Sequence, residues 1–180
     1  TRLLPVTGVL TCALPILECF LKGARQGFPR AQFLLGDAYR QGSGTEQNLQ
    51  EAVKWYRSAA WLGYPAAQTE LGRCLEFGTG VAQNVTRAVF WYRSAAQLGS
   101  PAGQCCLGYC CETGQGVEQN WHEAVKWYRA AAEQDYPRAQ CNLGWCYETG
   151  NGVEQSWEQA FFWYRKGVEK GSTRAMFQLA

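Results

Sequence analysis

Apolar residues return along this chain in short blocks, each ended by glycine or by a small polar residue. In the block 29–41 they are Ala31, Leu35, Ala38 and Tyr39; in the block 48–61 they are Ala52, Trp55, Tyr56, Ala59 and Ala60. Both spacings draw one stripe along a 3.6-residue helix, and neither block alternates as a half-buried strand does. The pair of blocks then repeats. Ala67, Leu71, Cys74 and Leu75 restate the first stripe, and Ala-Val-Lys-Trp-Tyr-Arg at 52–57 comes back as Ala-Val-Phe-Trp-Tyr-Arg at 88–93, unchanged at 124–129 and as Ala-Phe-Phe-Trp-Tyr-Arg at 160–165, each 36 residues after the last. A period of this size predicts a stacked array of helical units.

The breaks between blocks predict where each helix starts and stops. Phe28-Pro29, Tyr64-Pro65, Ser100-Pro101 and Tyr136-Pro137 open the first block of each copy, with Ser172-Thr173 in the same place further on. Proline suits a first helical turn, where its missing N–H costs nothing. Gly42, Gly78, Gly114 and Gly150 follow the first block and read as left-handed residues that end a helix. Asn48, Asn84, Asn120 and Ser156 precede the second block as N-caps, with Glu51, Glu123 and Gln159 placed as capping-box partners. Each copy is therefore a helical hairpin: helix A at repeat positions 3–15, helix B at 22–35. The frame gives repeats at 27–62, 63–98, 99–134 and 135–170, with a truncated fifth at 171–180. Residues 17–26 align on the end of an earlier helix B, with Cys19 and Phe20 in the Trp-Tyr places. Residues 1–16 fit no part of the repeat, resemble a translated sequencing-adaptor artefact, and carry Pro5 and Pro15. They are expected to be poorly ordered and supply no reliable signal peptide.

Composition narrows the functional classes. Seventeen basic and fifteen acidic residues leave a formal charge of +2, which gives no reason to expect nucleic acid or an anionic membrane. No apolar run is long enough to span a bilayer. The residues identify no compartment. At 47% apolar and 14% aromatic, the chain can fill a continuous core. In the core pattern, large Trp and Tyr alternate with small Ala, so the tryptophans of helix B are expected to hold neighbouring units together.

The unit Gly-x-Pro-x-Ala-Gln-x-x-Leu-Gly-x-x-Tyr-x-x-Gly-x-Gly-Val-x-x-Asn-x-x-x-Ala-x-x-Trp-Tyr-Arg-x-Ala-Ala resembles the Sel-one-like repeat family, relatives of tetratricopeptide repeats. The match extends over residues 27–180 almost without gaps. The resemblance implies an all-α fold, a right-handed superhelical α-solenoid of 36-residue helix-turn-helix repeats, used as a non-catalytic adaptor or scaffold for protein complexes. It also implies that helix A lines a concave surface. The helix-A stripe facing that surface, at repeat positions 4, 7, 11 and 14, varies from copy to copy. It comprises Arg30, Phe33, Asp37 and Arg40; Arg73 and Glu76, beside Ala66 and Thr69; Tyr109 and Glu112, beside Ala102 and Cys105; Arg138, Trp145 and Glu148, beside Cys141; and Arg174 and Phe177. Aromatic and Arg residues are the usual anchors of interfaces. The expected partner is a peptide or helix of another protein, held chiefly by Tyr109, Trp145 and Phe177. A passive spacer within a larger chain is the alternative.

The remaining motifs point to bland roles. Cys105, Cys106, Cys110 and Cys111 fan around one helix and cannot converge on a metal ion. Cys74, Cys110 and Cys146 occupy one repeat position, too far apart for disulfides. They read as small core residues, with Cys105 and Cys141, on the helix-A stripe, as the exceptions open to thiol chemistry. Cysteine-rich relatives bridge the end of helix B to the next helix A; here those places hold Ala96 and Gln104, or Ala132 and Gln140. Those relatives have been linked to β-lactam binding, which leaves small-molecule binding or a thiol enzyme as a remote alternative. His122 lies on the polar side of a first turn without a catalytic partner. The Gly-x-Gly turns lack the Lys and Ser of a phosphate loop. No cofactor and no enzymatic activity are implied. Open array ends expose apolar surface, so the isolated chain is expected to aggregate, as light scattering would show.

Overall fold

The computed structural model describes residues 7–169, with side chains from Ile16 onward. The described residues form nine α-helices and no strand. They group into two compact units, Thr1–Asn84 and Val85–Ala180. In the first unit are α1 (Thr7–Arg25), α2 (Pro29–Gln41), α3 (Leu49–Trp61) and α4 (Pro65–Phe77). In the second are α5 (Val85–Gln97), α6 (Pro101–Thr113), α7 (Trp121–Ala132), α8 (Pro137–Thr149) and α9 (Trp157–Glu169). Within each unit, helices adjacent in sequence pack on one another.

Local chemistry sets these boundaries. The helix-A segments α2, α4, α6 and α8 each begin on the proline and end at Gly42, Gly78, Gly114 or Gly150, with φ between 72° and 75°. Asn48, Asn120 and Ser156 accept side-chain hydrogen bonds from the N–H three residues on, at Glu51, Glu123 and Gln159. The reciprocal half of the expected capping box is absent. The backbone N–H of Asn48 donates instead to Tyr39 O, that of Asn84 to Leu75 O, that of Asn120 to Cys111 O and that of Ser156 to Tyr147 O, at 2.8–2.9 Å. Glu51 is left to pair with Lys54, and Glu123 accepts from Trp127 Nε1. A glutamine braces each turn. Gln47, Gln83, Gln119 and Gln155 donate through Nε2 to the carbonyls of Arg40, Glu76, Glu112 and Glu148, all at 2.8 Å.

At the centre of the hairpins α2–α3, α6–α7 and α8–α9 a tyrosine is seated on a glycine. Tyr56, Tyr92 and Tyr128 are wholly buried, and Tyr164 nearly so. A Cβ built on Gly36, Gly108 or Gly144 would come within 2.7–2.8 Å of the ring of Tyr56, Tyr128 or Tyr164. The Leu-Gly of helix A thus leaves room for an aromatic ring at van der Waals contact. The tryptophans contribute less than expected. Trp91 and Trp163 are buried, but Trp55 and Trp127 are only half-buried. Consecutive helical residues point about 100° apart. The tyrosine takes the direction into its own helix A in the hairpins of Tyr56 and Tyr128, and the indoles of Trp55 and Trp127 are turned partly to solvent.

Successive repeats are tied by a second glutamine. Gln32, Gln68, Gln104 and Gln140 are buried and donate through Nε2 to Ala24, Ala60, Ala96 and Ala132 O, at 3.1–3.3 Å. They satisfy a carbonyl at the end of one helix B from the start of the next helix A. Where α5 crosses α6, a Cβ on Gly103 would lie 2.6 Å from the Ala95 methyl, so these two helices approach closely.

Helix α1 begins at Thr7, although residues 7–16 were expected to lack order. Once residues 17–25 are held against α2, extending a helix backward costs far less than starting one. Residues 1–6, and the truncated fifth repeat at 171–180, lie outside the described residues.

Candidate functional site

In the first unit Phe33, Asp37 and Arg40 of the helix-A stripe are half-buried and engaged with neighbouring tyrosines. Phe33 packs its ring 5.8 Å from that of Tyr56 and 5.4 Å from that of Tyr64. The Tyr56 hydroxyl donates to Asp37 Oδ1 at 2.7 Å. Arg40 donates through Nε to the Tyr56 hydroxyl at 3.0 Å, and through Nη2 to Asp37 at 3.0 Å. Burial, followed by the Asp37 carboxylate, raises the Tyr56 phenol well above its ordinary range. Burial opposes the charge on Arg40, but its bonds to Tyr56 and Asp37 outweigh that and hold the guanidinium above its usual value. This triad is a structural lock. Arg73 is exposed beside Glu70, Glu76 is half-buried, and Arg30 is exposed at the start of α2. A cleft of about 310 Å³ between α1 and α2 is lined by Ile16, Leu17, Phe20, Leu34 and Ala38, with Asp37 at its edge.

In the second unit the stripe carries two large aromatic side chains at position 11. Tyr109 and Trp145 are half-buried at equivalent places on α6 and α8. The guanidinium of Arg138 lies over the Tyr109 ring, 6.0 Å from its centroid. The Trp145 ring lies 5.6 Å from that of Trp121, the first residue of α7, tilted by 47°. The two acids are engaged from beneath: Tyr128 donates to Glu112 Oε2 and Tyr164 to Glu148 Oε2, both at 2.5 Å. Burial first, then Glu112, raises the Tyr128 phenol far above its ordinary range. Arg174 and Phe177 lie outside the described residues.

Position 7 of the repeat does not belong to the accessible stripe. Thr69, Cys105 and Cys141 are buried. Burial pushes the Cys105 thiol up to about 12. The expectation that Cys105 and Cys141 stand open to thiol chemistry is therefore corrected: each is the fifth residue of its helix and is buried, and Asn142 Nδ2 approaches Cys105 Sγ at 4.0 Å. All eight described cysteines are free thiols, and no group of His, Cys, Asp or Glu among the described residues could hold a metal ion. His122 is exposed and places Nδ1 2.9 Å from the Gly152 carbonyl. No helix among the described residues is long and apolar enough to cross a membrane.

Two sets of residues escaped the sequence reading, the glutamines that cap helix B and those that brace each turn. Their signal was in plain view: each recurs at one repeat position in all four copies.

Comparison with known proteins adds the following. The family model described as the Sel1 repeat matches four times, at residues 29–64, 65–100, 101–136 and 137–172. Over 40 residues, 22% of the chain, the sequence is 48% identical to a chitin synthase regulator of Saccharomyces cerevisiae. Among solved structures it is similar to a protective antigen of uropathogenic Escherichia coli displaying an SLR fold, with TM-score 0.85 and 39% identity over 91% of this chain. It is also similar to a Sel1 repeat protein of Oxalobacter formigenes, with TM-score 0.85 and 36% identity over 89% of this chain. The chain spans 6% of the yeast protein, 35% of the antigen and 64% of the Oxalobacter protein.

Proposed function

The chain belongs to the Sel1 repeat family, an all-α helical-repeat solenoid whose members generally mediate protein–protein interaction, and on that premise we propose that it is a non-catalytic adaptor that binds a peptide or helix of another protein on its helix-A face. The observation that carries this reading is the half-buried pair Tyr109 and Trp145, at equivalent places on α6 and α8, with Arg138 stacked on the first. Rigid aromatic surface beside a guanidinium is the chemistry of interface anchors. The deep thiols and the engaged acids offer no nucleophile or general base on the same face, which favours binding over catalysis. The yeast relative is named as the regulator of an enzyme, in keeping with an accessory role.

The test compares proteins captured by the full chain with those captured by the Tyr109→Ala, Trp145→Ala double variant, with Phe162→Ala on α9 as control. Loss of specific partners in the double variant alone is expected. Unchanged capture refutes the helix-A site and favours a passive spacer.

A further inference from the structure

Arg138 forms no salt bridge among the described residues. Every Asp and Glu of the chain lies among the described residues. The ion pairs there involve Arg40, Lys54, Arg73 and Arg165, not Arg138. It occupies the first turn of α8, at the positive end of the helix dipole. The acid of the same stripe and helix, Glu148, is ten residues away, about 15 Å along the axis, beyond the roughly 8 Å over which surface charges act at physiological salt. Glu148 and Glu112 are moreover drawn inward by Tyr164 and Tyr128. The accessible part of this face therefore combines a guanidinium in no salt bridge, a tyrosine beneath it and, two turns along α8, the indole of Trp145.

We propose that the face formed by Arg138, Tyr109 and Trp145 recognises an acidic segment of a partner protein, an Asp or Glu on Arg138 with an apolar side chain against Trp145. The spacing follows from geometry. Arg138 and Trp145 are seven residues apart, about 10 Å along one face of the helix. A peptide in the polyproline II conformation advances about 3.1 Å per residue and returns to the same face every third residue, so a carboxylate and an apolar side chain three positions apart nearly span that distance on one face. A forked guanidinium held over a ring is suited to a carboxylate, which it can meet with two parallel hydrogen bonds.

This assignment rests on the adaptor reading, and the test separates the two. A phage-displayed library of random dodecapeptides is selected against the full chain, and enriched peptides are measured by fluorescence anisotropy against the chain and its Arg138→Gln, Arg138→Lys, Tyr109→Ala and Trp145→Ala variants. The proposal predicts acidic residues three positions from an apolar one. It also predicts binding about tenfold weaker with Arg138→Gln, partly recovered with Arg138→Lys. Peptides that need Tyr109 or Trp145 but are not acidic, or are indifferent to Arg138→Gln, overturn the acidic assignment and leave the adaptor reading standing. Failure to select any peptide, or peptides indifferent to Tyr109→Ala and Trp145→Ala, overturns both. Arg138 is exposed, and unchanged helicity and melting temperature of Arg138→Gln confirm that the fold is intact.

Discussion

Tyr128 donates its phenol hydrogen to Glu112 Oε2, and the same ring rests on Gly108, one turn back along α6. One side chain from helix B thus reads two positions of helix A, a missing side chain and an acid four residues later. Tyr164 does the same on Gly144 and Glu148, and Tyr56 on Gly36, with Asp37 and Arg40 sharing the acid's place. The proposed helix-A binding site is consequently limited to residues this lock does not use.

Gly108→Ala tests the seat. Alanine in a helix interior ordinarily stabilises by about 1 kcal/mol relative to glycine. Here the added methyl would lie 2.8 Å from two ring carbons of Tyr128. Overpacking of this kind costs about 1–3 kcal/mol, so chemical denaturation should show net destabilisation. A more stable variant would show that the ring yields freely.

Tyr128→Phe keeps the ring and removes the bond to Glu112. A hydrogen bond to a charged acceptor is worth about 1.5–3 kcal/mol, and the half-buried Glu112 recovers part of that from water, so a loss near the lower end is expected. In a double-mutant cycle with Glu112→Gln, the two losses should be clearly less than additive. Full additivity would mean the pair contributes nothing as a pair.

The buried glutamines suggest a stabilising change. Gln104 Oε1 accepts from Gln134 Nε2 at 2.9 Å, thirty residues on. Gln32 Oε1 is buried without a hydrogen-bond partner, and thirty residues on stands Leu62, an exposed apolar side chain. Leu62→Gln should supply the missing donor and raise stability by about 1 kcal/mol. An unchanged denaturation midpoint would count against this equivalence.

Alkali should weaken the fold. Burial raises Cys74 and Cys111 to about 11 and Cys105 and Cys146 to about 12. Above about pH 8.5 these thiols lose protons in the unfolded chain while the folded chain keeps them, so the folded state binds more protons and stability falls as pH rises. The stabilisation is complete below that pH and is lost through about pH 11–12. Each group contributes a slope of up to about 1.4 kcal/mol per pH unit. Thermal melts across this range should show the decline, and Cys105→Ala should make it shallower. A flat profile to about pH 10.5 would contradict the burial of the thiols.

The hairpins were legible in the sequence because their signals are local and repeat: proline at the start, left-handed glycine at the end, an Asn or Ser cap between. The 3.6-residue period likewise marked the apolar faces, but it could not rank Tyr128 above Trp127, since adjacent aromatics differ only in which helix each one meets. The same ambiguity placed Cys105 and Cys141 on the accessible stripe, although a rotation of a few tens of degrees buries them. Glu112 and Glu148 looked available because a carboxylate's partner sixteen residues away in a different helix leaves no mark on local pattern.

The central claim is that partners meet this chain on helix A and not on the outer face of helix B. Photo-crosslinking measures this directly, with benzoylphenylalanine placed at Tyr109 on α6 in one variant and at Phe162, exposed on α9, in another. Crosslinks to a partner polypeptide from position 109, with none from 162, are predicted; crosslinks from 162 and none from 109 would contradict the account.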